Sequence, residues 1–176
     1  MNLSNLILKF IVLFVACSLT WSAHAMEQVY QSTEDFIAEI FIVSPPAKLI
    51  WLTKDVQTAV AGILGHAPRQ LRQRYWGDEV RTLWILEEIG KEELITAGFV
   101  VQEGRLVQAK ILAYRESRGM EVRYPAFLKQ FKGAVLSSDN HLDRTIDGIS
   151  GATLSVNAMQ RMARTALYFD QLSRIK

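Results

Sequence analysis

Cysteine is nearly absent from this chain, and that absence excludes a good deal. Cys17 is the one cysteine among 176 residues, and it lies inside the first apolar stretch. Beyond it there is no thiol for a disulfide, a thiolate metal site, an iron–sulfur cluster or a C-x-x-C-H haem attachment. An excess of either charge is also missing: 20 Lys and Arg stand against 18 Asp and Glu, so no basic field supports nucleic-acid binding. The chain has no glycine fingerprint for NAD(P)H, no internal repeat and no low-complexity tract.

Charge is scarcest at the start. Lys9 is the one charged side chain in the first 25 residues, followed by the apolar run Phe10 to Ala16 and then by Ala23-His24-Ala25, an A-x-A cleavage pattern. A spanning helix needs about 20 apolar residues, and Lys9 interrupts the candidate. The expectation is therefore a signal peptide over residues 1–25, cleavage after Ala25, and a periplasmic or otherwise extracytoplasmic protein. A retained anchor stays open because the positive n-region is thin. A lipoprotein reading rests on Phe14-Val15-Ala16-Cys17, a loose lipobox.

What is present is most specific near the C-terminus. In Asp147-Gly148-Ile149-Ser150-Gly151-Ala152-Thr153, Ser150 and Thr153 supply hydroxyls while Gly151 and Ala152 keep the backbone bare between them. The next residues are strongly helical in period, with Ala158, Met159, Met162, Ala163, Ala166 and Leu167 on one face and Asn157, Gln160, Arg161 and Arg164 on the other. Thr153 is thus expected at or just before a helix N-terminus, where unpaired N–H groups and the dipole favour an anion. On its own, the segment also reads as a plain loop with a Ser or Thr N-cap.

At these residues the chain resembles the FMN-binding domain family, which includes flavoprotein subunits of the sodium-translocating NADH:quinone reductase and of Rnf complexes. Asp147, Ser150, Gly151, Ala152 and Thr153 fit a D-x-x-[ST]-G-A-T motif. Upstream, Arg115-Glu116-Ser117-Arg118-Gly119 looks like an E-[ST]-x-G segment, and Phe127 to Gly133 looks like a helix ending in Q-F-x-G. Arg118 departs from the pattern, standing where many members have Pro.

The resemblance implies FMN held covalently on Thr153 by a phosphoester bond, installed by a flavin transferase. Ser150, Gly151, Ala152, Asp147 and Glu116 would complete the cofactor site. Asp147 would be a recognition or metal-orienting group for the transferase. Glu116 would line the flavin pocket, or else be a surface carboxylate paired with Arg115 or Arg118. Members in the large membrane complexes keep an N-terminal membrane helix, which leaves the anchor reading in play here.

The function expected is an electron relay between a membrane redox protein or complex and an extracytoplasmic acceptor. The rivals are a periplasmic FMN-dependent reductase of a small molecule and a non-redox interaction module that has lost FMN.

The remaining chain predicts an α+β domain, a mostly antiparallel sheet flanked by helices, with a C-terminal helix after the attachment loop. Residues 26–46 read as an N-terminal helical segment, capped at Ser32 and stopped by Pro45-Pro46, and residues 47–176 as the FMN-binding domain. A second helix runs from Thr53 to a stop at Gly65. Strands are expected at 80–87, 95–102 and 106–114, the last two joined at Glu103-Gly104. Pro125 and Gly133 bracket a short helix, and the final helix runs from about Leu154 to Tyr168. Trp51, Trp76 and Trp84, with Tyr75, read as core or sheet-face aromatics. His66 follows a helix end, and His141 lies in a polar loop.

Overall fold

The computed structural model describes residues 28–175, so the leader, Lys9, Cys17 and the cleavage pattern lie outside the described residues. Three apolar stretches in the middle of the chain form the centre of one sheet. β4 (Arg81–Ile89), β5 (Leu94–Gln102) and β6 (Arg105–Tyr114) pair antiparallel in sequence order. Glu103 and Gly104 both have positive φ, 52° and 71°, which is what a two-residue type I′ turn requires.

Three further strands were not visible in the sequence pattern: β1 (Gln28–Val29), β2 (Lys48–Trp51) and β3 (Arg72–Gly77). β1 and β2 are short edges, and β3 opens on Arg72, Gln73 and Arg74, which hide any alternation. The order across the sheet is β1-β6-β5-β4-β3-β2, with every neighbouring pair antiparallel.

Both faces of the sheet are covered. On one, α1 (Thr33–Ile40) packs Phe36 and Ile37 against Leu83, Val100 and Leu112, its start fixed by Ser32 Oγ accepting from the Asp35 N–H at 3.0 Å. The segment before Pro45 is thereby built into the same sheet as the rest. On the other face lie α2 (Lys54–Leu64), α3 (Pro125–Leu128) and α4 (Thr153–Arg174), around a core that includes Trp84, Phe99, Phe131, Met159 and Leu167. Thr53 caps α2, and Gly65 ends it at φ 81° in the left-handed region.

α4 runs a turn and a half beyond the expected end at Tyr168 because Asp170, fully buried, is satisfied there. Thr82 Oγ1 donates to Asp170 Oδ1 at 2.6 Å, Arg174 Nε donates to Oδ2 at 2.9 Å, and Trp84 Nε1 donates to Thr82 Oγ1 at 2.8 Å. A carboxylate buried without such partners would be strongly unfavourable. Of the aromatics, Trp84 stacks on Tyr75 with ring centroids 4.5 Å apart, whereas Trp51 lies exposed on the edge strand.

Candidate functional site

Residues 146–153 follow a simple inward rhythm. Ile146 and Ala152 are buried and Ile149 packs on the core, so the apolar side chains anchor the loop at every third position. Asp147, Gly148, Ser150, Gly151 and Thr153 are left exposed between them. The Ala152 N–H donates to the Ile149 carbonyl at 3.0 Å, closing a turn in which Gly151 has φ 80°, a conformation that a side chain would strain. A Cβ on Gly148 or Gly151 would meet nothing within 4 Å, so the outer side of the loop is open.

Thr153 is the first residue of α4, with Ala152 as its N-cap. Alanine cannot accept a hydrogen bond through its side chain, and the first turn has no acidic residue. The leading N–H groups of a 22-residue helix therefore have no side-chain cap, beside the exposed Thr153 hydroxyl. The plain reading of the loop as a Ser or Thr N-cap is corrected: the capping position falls on Ala152, because the turn at 149–152 places the hydroxyls of Ser150 and Thr153 on either side of it. Such a terminus favours an anion through both its free donors and its dipole. The donor set fits the phosphate of FMN.

The two upstream segments converge on this loop. Gln130, in the short 3₁₀ turn Lys129–Phe131 after α3, accepts the Asp147 N–H on Oε1 at 2.7 Å. Arg144 clamps the intervening chain, donating to the Lys132 and Gly133 carbonyls at 3.0 Å each. From the other segment, Gly119 turns at φ 82° against the start of α4. A Cβ there would lie 2.9 Å from Tyr114 Oη, 3.1 Å from Ala152 Cβ and 3.2 Å from Ser155 Oγ.

Tyr114 ties these pieces together. Its hydroxyl donates to the Arg118 carbonyl at 2.6 Å and lies 3.0 Å from Ser155 Oγ. Burial pushes the phenol up, against a smaller opposing effect of the Ser155 hydrogen bond, so the group stays a protonated donor.

Glu116 has a defined structural task. Its Oε1 accepts the backbone N–H groups of Lys91, Glu92 and Glu93, the last two at 2.8 and 3.0 Å, and so holds the turn between β4 and β5. Gly90 lies against it, since a Cβ there would come 2.7 Å from Glu116 Oε1 and 3.3 Å from Ser155 Oγ. Glu116, Ser155 and Ala152 therefore belong to one packed corner beside the loop of residues 146–153.

Gln130 falls in the Q-F-x-G pattern with no role of its own there, and Tyr114 and Ser155 lie outside the three motifs. The signal for Ser155 was a polar residue on the apolar face of a periodic helix. Tyr114 gave none beyond closing a strand. His66 and His141 stand apart from this corner: the first pairs with Glu88 through Nε2 at 3.1 Å, and the second lines a separate cleft with Arg144 and Arg161.

Known proteins share part of this chain's sequence and its fold. Residues 90–168 match the FMN-binding domain, a span from the turn that Glu116 holds to the buried stretch of α4. The family resemblance read from the three motifs is thereby borne out, and with it FMN binding as the property of that span. No curated protein matches the chain by sequence. Among solved structures the fold is similar to that of NqrC from Shewanella oneidensis, with a TM-score of 0.56 and 17% identity, over 77% of this chain and 87% of that one. The expected α+β architecture with its C-terminal helix is the one observed.

Proposed function

We propose that the protein is an exported flavoprotein, cleaved after Ala25, that carries FMN on Thr153 through a phosphoester bond and relays electrons. Its partners on this reading are a flavin transferase, a membrane redox protein or complex, and an acceptor outside the cytoplasm. The observation that carries the proposal is the exposed Thr153 hydroxyl at the uncapped N-terminus of α4. The family match over residues 90–168 and the fold likeness to NqrC support it.

Forming the ester joins Thr153 Oγ1 to the phosphorus of an FMN group presented as a phosphoanhydride. The anhydride P–O bond breaks, the other phosphoryl group leaves with the bridging oxygen and its bonding pair, and the hydroxyl proton passes to a base of the transferase. This chain's contribution is positional. Gly148 and Gly151 leave room for the approach, Ser150 adds a second hydroxyl beside the turn, Ala152 seats the helix start, and Asp147 offers an exposed carboxylate for recognition. Glu116 shapes one wall by fixing the turn at residues 91–93. When bound, FMN takes up or gives up one or two electrons. Among the described residues no helix is long and apolar enough to cross a membrane.

The test is the intact mass of the protein made alongside an active flavin transferase and exported. Addition of one FMN less one water is the expected result, and an unmodified mass would overturn the reading.

A further inference from the structure

The sheet is not closed between β3 and β4. These strands pair only from Tyr75↔Trp84 to Gly77↔Thr82, whereas β4 continues to Ile89, paired with β5 alone. Arg72, Gln73 and Arg74 pair on their other side with β2. A side chain spans the opening, with Gln73 Nε2 donating to the Ile85 carbonyl at 3.1 Å in place of a backbone rung.

The gap holds a cavity of about 500 Å³, within the roughly 300–1,000 Å³ of small-molecule sites. Its floor is apolar, formed by Leu52, Leu64, Leu86, Met162 and Phe169. Its rim carries the exposed guanidinium groups of Arg69, Arg72 and Arg74, none of which has a carboxylate within 4.0 Å among the described residues. The buried Glu88 in the wall is already balanced by the Arg161 guanidinium at 3.1 Å and lies 3.1 Å from His66 Nε2, and Glu87 accepts a hydrogen bond from the Thr96 hydroxyl. Arg72 also lies 6.0 Å from the centroid of the exposed Trp51 ring.

An apolar floor beside three arginines, set against the single rim carboxylate of Glu87, leaves a net positive rim that suits one kind of occupant. We propose that the gap between β3 and β4 binds a small amphipathic anion, with its apolar chain on the floor and its anionic head held by Arg72 and Arg74. Guanidinium groups suit such a head because they present paired donors to its oxygens. The site is separate from the proposed flavin attachment: Met162 stands nine residues after Thr153 on α4, about 14 Å along the helix axis.

The probe is decanoate, titrated into the exported protein and followed by amide chemical shifts. Saturable shifts at Arg72 to Trp76 and Ile85 to Glu88 are expected. The double variant Arg72→Gln/Arg74→Gln should weaken binding about tenfold or more through loss of charge-assisted hydrogen bonds. Decanol and acetate, each carrying half of the chemistry, should bind at least tenfold more weakly than decanoate. Absence of saturable shifts, shifts that map away from the gap, an unchanged affinity in the double variant, or equal binding of decanol would each overturn the proposal.

Discussion

Gln130 and Asp147 are joined across 17 positions of sequence by one hydrogen bond, the side-chain oxygen of the first accepting the backbone N–H of the second at 2.7 Å. Asp147 opens the loop that ends at Thr153, so this contact sets where the loop begins while Ala152 sets where it ends. The chain between is lashed down by Arg144. A surface loop of small residues is ordinarily among the more mobile parts of a fold. Here both ends are fixed and only the outer side is free.

Gln130→Leu should therefore loosen the loop from Asp147 to Thr153 without disturbing the core. The expected result is a several-fold slower flavinylation by the transferase, with thermal stability changed by about 1 kcal/mol, the size of one hydrogen bond. Gln130→Glu keeps an acceptor and should retain most of the rate. Intact-mass time courses on the three proteins make the comparison.

Thr153→Ala should abolish covalent flavin, because the hydroxyl at the start of α4 is the proposed nucleophile. Ser150→Ala should leave it in place. In-gel flavin fluorescence after denaturation distinguishes them, and a fluorescent Thr153→Ala protein would sink the assignment.

Glu116→Ala leaves three backbone N–H groups without their acceptor. Loss of these bonds should cost about 1–2 kcal/mol, seen as a melting temperature lower by about 2–8 °C for a domain of this size. Glu116→Gln retains a neutral oxygen and should recover part of the loss. A role confined to the flavin would show no such shift in the flavin-free protein.

Acid should loosen α1. Hydrogen bonds from the Lys110 ammonium and the Gln31 amide hold the Glu39 carboxyl below the usual range, with a further bond from Gln108. A carboxyl depressed by folding stabilises the fold at pH values above its unfolded value, about 4.3. That contribution is lost as the pH falls through the lower folded value. The pair is exposed, so the effect should stay below about 1 kcal/mol. Melting temperature measured from pH 6 down to pH 3 should fall less steeply in Glu39→Gln than in the native protein.

The flavin-loaded protein should be bleached quickly by a small artificial reductant and hardly at all by NADH, since no pyridine-nucleotide fingerprint is present in the sequence. Rapid-mixing absorbance checks this. Fast, saturable bleaching by NADH would replace the relay with a reductase.

Local signals determined much of this protein. The short apolar runs of β4, β5 and β6, the caps at Ser32, Thr53 and Gly65, and the Glu103-Gly104 turn act within a few residues, so they can be read without knowing what packs where. The D-x-x-S-G-A-T segment is equally local, and it marked Thr153 as the head of a helix. Tertiary structure decided what depends on distant partners. β1, β2 and β3 exist because a neighbouring strand pairs with them, their own alternation being too short or too charged to show. α4 continues past Tyr168 because Thr82, 88 positions away, meets Asp170 in the core. Glu116 could be recognised as a motif residue, but only the fold places the N–H groups of residues 91–93 around its oxygen. A carboxylate's partner is set by what the chain brings within about 3 Å of it, and sequence spacing carries no record of that distance.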